Sequence, residues 1–95
     1  MAFMYMLRCS DGTTYVGSTI DLERRLAQHQ AGEGAQYTRT RRPVELIHVE
    51  EYARIDDAFA REKQLQKWSR IKRLALARGN DEALASASRK RWVQV

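Results

Sequence analysis

The chain is poor in the residues that build covalent or metal-stapled folds: it has one cysteine and one proline in 95 residues. Cys9 cannot pair within the chain, and no Cys/His group has zinc-ligand spacing, which excludes a disulfide framework or a structural zinc. A reducing cytoplasm is the expected compartment. No apolar run approaches the roughly 20 residues that cross a bilayer, and the N-terminal run lacks the basic start and cleavage signal of a leader, so no membrane partner is expected. There is no internal repeat, low-complexity segment or linker. Residues 1–95 therefore read as one domain, able to bury about 60 to 65% of its unfolded surface around one core.

Positive charge is in excess, with Lys+Arg 17 against Asp+Glu 12 and a formal net charge of +5. Polyanions are the leading class of partner for such a surface. The distribution is clustered: Arg39, Arg41 and Arg42; then Lys67, Arg70, Lys72 and Arg73; then Arg89, Lys90 and Arg91. Each cluster alone reads equally as a solvated face, and the last as a basic tail. Two of them meeting on one surface would make a groove that tracks phosphates.

The pattern is α+β. Phe3 to Cys9 and Thr13 to Ser18 are aromatic and β-branched runs around Asp11-Gly12, which predicts a hairpin. The first run is apolar on both faces, Phe3, Tyr5 and Leu7 against Met4 and Met6, as a central strand would be. A helix is expected from Thr19 as N-cap to just before Gly32, with Asp21 and Glu23 in its first turn. Gly32, Gly34 and the stretch from Thr38 to Pro43 mark an exposed loop. Val44 to Tyr52 alternates Val44, Leu46 and His48 against Glu45, Ile47 and Val49, a third strand. A second helix runs from about Asp56, capped there or by a neighbour, to near Trp68. Ser69 then caps a helix to about Arg78, stopped by Gly79-Asn80, and a short last helix runs through Ser86.

Loop length in the hairpin decides which side chains share a face. A two-residue loop at Asp11-Gly12 puts Tyr5 and Tyr15 on opposite faces; a three-residue loop with Gly12 left-handed puts them on one face, with Tyr5 opposite Gly17. In that register the bare Gly17 would leave room beside two phenols for a phosphate. Core packing with hydroxyls on backbone partners is the plainer reading of both tyrosines. On the first helix Leu22, Leu26 and His29 share a face and Arg25 borders it, where a cation is costly unless an anion meets it. Arg25 at the rim paired to a glutamate, with His29 a satisfied helix histidine, is the alternative. Glu62 lies in the stripe of Ala58 and Leu65, so a carboxylate points inward. It must meet a salt-bridge partner such as Arg25 or Lys63, or a hard divalent cation; a single carboxylate with water and phosphate oxygens suits Mg²⁺.

Tyr5, the triplet Tyr15-Val16-Gly17, Leu22 to Arg25 with His29, and Glu62 followed by Lys67-Trp68-Ser69-Arg70 and Lys72 resemble the GIY-YIG endonuclease superfamily, above all its small standalone bacterial members. The resemblance covers residues 3 to about 80. It implies a small three-stranded antiparallel sheet flanked by helices, and single-metal, Mg²⁺- or Mn²⁺-dependent cleavage of phosphodiesters; whether a monomer or a homodimer acts is left open, a dimer being one way to cut two strands. On that resemblance Tyr15 activates the attacking water with help from His29 or Tyr5, Arg25 holds the scissile phosphate, and Glu62 binds the metal. Gly17, Arg39, Arg41, Arg42, Lys63, Lys67, Arg70 and Lys72 are the candidate nucleic-acid contacts. The first triplet here is Phe3-Met4-Tyr5, Ser18 stands where some repair-type members carry lysine, and Asn80 corresponds either to a late family asparagine or to a helix C-cap. The functional expectation is a metal-dependent, structure-directed or weakly specific endonuclease acting on DNA, linked to repair or recombination. A non-catalytic nucleic-acid-binding module is the alternative, and a protein-interaction adaptor using the basic helices is a third class.

Overall fold

The computed structural model describes the backbone of residues 1–87 and the side chains of residues 1–79. The side chain of Asn80 and the basic triplet Arg89, Lys90 and Arg91 lie outside the described residues. In chain order the elements are β1 (Ala2–Arg8), β2 (Thr14–Thr19), α1 (Leu22–Ala31), α2 (Gln36–Arg39), β3 (Glu45–Tyr52), α3 (Ile55–Gln66) and α4 (Arg70–Ala87). The three strands form one antiparallel sheet in the order β2-β1-β3, so the chain is α+β with β1 central.

Two-sided apolarity in β1 becomes two cores. Met4 and Met6 pack with Val16, Ala58, Leu65 and Ala77 under α3 and α4. Tyr5 and Leu7 pack on the opposite face with Cys9, Leu22, Val44 and Val49, beneath α1. Each fully buried Met or Leu contributes about 1.5 to 3 kcal/mol through removal of apolar surface from water.

The hairpin closes in the odd register. Cys9 N–H donates to the Thr13 carbonyl at 2.8 Å, Gly12 N–H donates to the Cys9 carbonyl at 2.9 Å, and Gly12 has φ 85°. The loop is Ser10-Asp11-Gly12, and its left-handed position strains any residue bearing a Cβ. The Asp11 carboxylate accepts from Thr13 N–H at 3.1 Å and Thr13 Oγ1 at 2.6 Å, which locks the turn.

The structure corrects four sequence expectations. In β3 the strict alternation fails, because Met6 pairs with His48 while Leu7 pairs with Leu46. Ile47 is the extra residue of a bulge, so Leu46 and Val49 come to the same core. The N-cap of α1 is Asp21, whose carboxylate accepts from Arg24 N–H at 3.1 Å, while the Thr19 hydroxyl accepts from Asp21 N–H one turn earlier. A charged acceptor at the positive end of the helix outcompetes a hydroxyl there. Asp56 and Asp57 lie within the first turn of α3 rather than capping it; its N-cap is Arg54, which makes no side-chain cap. Finally, α4 continues through Gly79 and Asn80 to Ala87. A glycine inside a helix costs only about 1 kcal/mol, too little to end a helix already nucleated.

Arg73 is the joint between layers. Its guanidinium donates to the Leu65 carbonyl at 2.9 Å, the Gln66 carbonyl at 3.1 Å and Thr14 Oγ1 at 3.0 Å. The end of α3 is thereby capped and tied to β2, and the charge expected in the second basic cluster is taken up inside the fold. Replacing Arg73 with leucine leaves those carbonyls without partners. The expected loss is about 2 kcal/mol in urea unfolding, and a change under about 0.5 kcal/mol would contradict this role.

Candidate active site

Because Tyr5 pairs with Gly17 and Tyr15 with Leu7, both phenols lie on the α1 face of the sheet, with ring centroids 6.4 Å apart. A Cβ at residue 17 would lie 2.5 Å from the Tyr5 hydroxyl oxygen. Here an expectation is corrected: the space over Gly17 is filled by the Tyr5 phenol itself, and the glycine seats that ring rather than opening a phosphate pocket. The wheel of α1 delivers His29 to the same place, its Nε2 2.8 Å from the Tyr5 hydroxyl. His29 Nδ1 lies 2.8 Å from the Thr38 hydroxyl. Tyr5, His29 and Thr38 have no exposed surface. Gly34 allows the approach, since a Cβ there would stand 2.5 Å from His29 Nδ1.

Tyr15 is the half-exposed phenol. Its ring meets His29 edge-on at 5.2 Å and stacks on Tyr37 at 6.1 Å, and the Arg41 guanidinium lies 4.0 Å from the Tyr37 ring centre. A groove of about 250 Å³ beside it is lined by Thr14, Tyr15, Val16, Tyr37, Gln66 and Arg73. Arg25, on the rim of α1, donates to Gln28 Oε1 at 3.2 Å and stands beside both phenols. Burial pushes the Tyr5 phenol up to about 12 against the opposing pull of Arg25. Burial also raises Tyr15, with Arg25 drawing it back and the Glu62 charge adding to the rise. His29 is pushed down to about 4, by burial first and by the Arg25 charge second.

Glu62 comes from α3, on the other side of β2. Its Oε1 accepts from the Ser18 hydroxyl at 2.6 Å and its Oε2 from Gln66 Nε2 at 2.8 Å. Neither salt bridge expected from the sequence forms: Arg25 turns to Gln28, and Lys63 donates to Gln66 Oε1 at 3.4 Å with its ammonium 4.8 Å from the Phe59 ring centre. Among the described residues no cation lies within salt-bridge distance of the half-buried carboxylate, which retains spare lone pairs. That donor suits a hard divalent ion completed by water and phosphate oxygens; among the described residues there is no group of three or more His, Cys, Asp or Glu that could close a shell alone. A second carboxylate steadies the helix. Burial works to raise Glu50, but hydrogen bonds from His48, Arg61 and Tyr52 overcome it and hold it down at about 2. Arg61, next to Glu62 in sequence, donates to Glu50 at 2.9 Å and so anchors α3 to β3.

The basic candidates divide. Arg41 is committed to Asp11 at 3.0 Å and to the Tyr37 carbonyl at 2.9 Å, and Arg42 to the carbonyls of Arg39 at 2.9 Å and Gln30 at 3.2 Å. Arg70 donates to the Gly12 carbonyl at 2.9 Å. Arg41 and Arg70 therefore bring two of the basic stretches together around the β1–β2 turn. Arg39, Lys63, Lys67 and Lys72 are exposed, the last with its ammonium 4.2 Å from the Trp68 ring centre. Sequence reasoning missed Thr38, Gly34, Tyr37 and Gln66. Only Gln66 carried a signal, one helical turn after Glu62; the others sit in a stretch without periodicity.

Fold and site together define a small α+β domain with two tyrosines, a histidine and an arginine gathered on one face of its sheet. Residues 1–75 match the family model of the GIY-YIG catalytic domain, and the chain belongs to that family. Its relatives include small standalone members. A UPF0213 protein of Syntrophus aciditrophicus is 42% identical over 83 residues, which span 86% of this chain and 95% of that protein. A UPF0213 protein of Streptococcus pneumoniae is 41% identical over 92 residues, spanning 96% of this chain and 93% of its own. The solution NMR structure of a UPF0213 protein from Bacillus halodurans superposes with a TM-score of 0.51 at 36% identity, covering 80% of this chain and 82% of the other.

The low folded-state pKa of His29 makes stability depend on pH. Between its ordinary value near 6.5 and about 4 the unfolded chain binds the extra proton, so the His29 contribution is complete above pH 6.5 and is lost as pH falls toward 4. At most about 3 kcal/mol is involved. Thermal or urea unfolding of the wild type should weaken steadily across that window, and His29→Gln should flatten the slope; parallel slopes would contradict the assignment.

Proposed function

We propose that the chain is a divalent-metal-dependent endonuclease that hydrolyses phosphodiester bonds in DNA. The observation that carries this reading is the position of Tyr15: half-exposed, and under the simultaneous electrostatic influence of Arg25 and Glu62. Tyr5 and His29 are enclosed, so Tyr15 is the phenol that can meet water and substrate. In this mechanism the Arg25 guanidinium holds the scissile phosphate and offsets charge that grows in the transition state. Its charge also favours the phenolate of Tyr15, which takes the proton of the attacking water. Mg²⁺ or Mn²⁺, held by Glu62 with Ser18 and Gln66 orienting the carboxylate, would supply Lewis-acid stabilisation of the leaving oxygen. Of the exposed candidates Arg39, Lys63, Lys67 and Lys72, the three lysines are ammonium point charges suited to phosphates, with Arg39 the one fork of paired donors among them, which supports recognition of DNA shape over sequence. Branched or nicked DNA met in repair or recombination is the substrate class we assign, in the cytoplasm, with a monomer or homodimer as the acting form. No helix among the described residues is long and apolar enough to cross a membrane.

The test is incubation with branched, nicked and single-stranded DNA, and the matching RNA, with and without Mg²⁺ or Mn²⁺. Cleavage that requires the cation and falls on the order of 10²-fold or more in Glu62→Gln, Arg25→Ala and Tyr15→Phe supports the reading. Binding without cleavage on every substrate and metal would instead make the chain a nucleic-acid-binding module. Because Tyr15 must lose its proton and its pKa lies above the ordinary value of 10, the rate should climb with pH through the range 7 to 9. A rate independent of pH there would rule out the phenol as base.

A further inference from the structure

We infer that Thr38 is a positioning residue for the proposed cleavage: its hydroxyl fixes His29 as the neutral Nδ1–H tautomer, so that Nε2 accepts the Tyr5 phenol proton and His29 orients Tyr5 rather than serving as a base. The inference deepens the reading given above and rests on it for its catalytic consequence.

Four groups form one chain of hydrogen bonds, from the Tyr5 hydroxyl to His29 Nε2 at 2.8 Å, from His29 Nδ1 to Thr38 Oγ1 at 2.8 Å, and from Thr38 Oγ1 to the Ala35 carbonyl at 3.0 Å. Two directions are open to such a chain. At one end stands a carbonyl, which can only accept, so the Thr38 hydroxyl proton goes to Ala35 and its lone pair faces Nδ1. His29 then carries its proton on Nδ1, and Nε2 accepts from Tyr5. Every buried donor has a partner, in keeping with the lack of orphaned buried side-chain atoms among the described residues. In the reverse direction Thr38 donates to Nδ1 and Nε2–H donates to Tyr5. The phenol proton of a fully buried residue would then have no acceptor, at a cost of about 1 to 3 kcal/mol.

The local backbone is built to hold Thr38 in that role. The Ala35 carbonyl also accepts from Thr38 N–H and Arg39 N–H, both at 3.2 Å, and the Thr38 carbonyl accepts from Arg41 N–H at 3.0 Å, so the threonine is fixed within its turn. Gly34 lets the imidazole lie directly on this backbone. With its proton directed at His29, the Tyr5 oxygen presents its lone pairs to the Arg25 guanidinium, the group assigned to the scissile phosphate. His29 has no exposed surface and cannot touch water; it acts on the site through its hydrogen bond to the Tyr5 hydroxyl and its edge contact with the Tyr15 ring.

The ring nitrogens of His29 in ¹⁵N-labelled protein at neutral pH give the test, together with cleavage of the substrate found active above. The wild type should show the neutral Nδ1–H tautomer. Thr38→Val, which keeps the shape and removes the hydroxyl, should move His29 toward Nε2–H and lower cleavage about 10- to 100-fold, while Thr38→Ser restores both. A wild-type ring in the Nε2–H or doubly protonated form overturns the inference, as does Thr38→Val with tautomer and rate unchanged. If Thr38→Val does not fold, the wild-type and Thr38→Ser spectra still decide. Absence of cleavage by the wild type on all substrates overturns the nuclease reading and the catalytic consequence with it, whereas the direction of the hydrogen bonds is judged by the spectra alone.

Discussion

The pairing of Tyr5 with Gly17 across the first hairpin is the constraint from which the site follows. It is imposed by a left-handed glycine at position 12, which adds one residue to the turn and brings the odd-numbered side chains of both strands to one face. A shift by a single position would send Tyr15 to the methionine core and place Val16 where the phenol stands. Gly17 then performs a second task, leaving the volume that the Tyr5 ring occupies. Once the ring lies there, its hydroxyl reaches α1, and the histidine that the helix period delivers has one place to go.

The acid arrives from the opposite layer. Ser18 pairs with Met4, on the face covered by α3, and takes the carboxylate of Glu62 from there. β2 is an edge strand with a bare glycine beside Ser18, so groups on its two faces influence one another around the edge: the Glu62 charge raises both phenols while Arg25 lowers them. Position on α3 matters for that reason. The helix is pinned at two points, by Arg61 to Glu50 on β3 and by Arg73 at its C-terminal carbonyls, and Glu62 lies between them. Neutral donors on both oxygens orient the carboxylate and leave it lone pairs that a salt bridge to Lys63 or Arg25 would have occupied.

Local periodicity explains what was legible in the sequence. Two-sided apolarity placed β1 in the centre, the turn glycine gave the register its two alternatives, and the 3.6-residue period put His29 on the inner face of α1 and Glu62 on that of α3. What escaped depends on contacts that no period encodes. Thr38 meets His29 through a single turn of helix in a stretch that reads as an exposed loop, and Tyr37 stacks on Tyr15 from the same stretch. The Ile47 bulge exchanges faces within a run whose alternation looks regular. Arginines were hardest to place, since sequence gives their charge but not their partner: Arg73, Arg42, Arg41 and Arg70 are held largely by backbone carbonyls, whereas among the described residues Arg24, Arg39, Arg78 and the lysines stay exposed to meet a polyanion.

The central claim of the proposed function is that Tyr15, Arg25 and Glu62 act together on one phosphodiester, with a hard cation held at Glu62. The most direct measurement is Mn²⁺ titration of isotope-labelled protein with an uncleavable phosphorothioate DNA, followed by paramagnetic broadening of the NMR signals. The account predicts that Glu62, Ser18, Gly17 and Tyr15 broaden first and together, and that Asp56 and Asp57 at the far end of α3 broaden later. Broadening centred on Asp56 and Asp57, or spread evenly over the acidic surface residues, would contradict it.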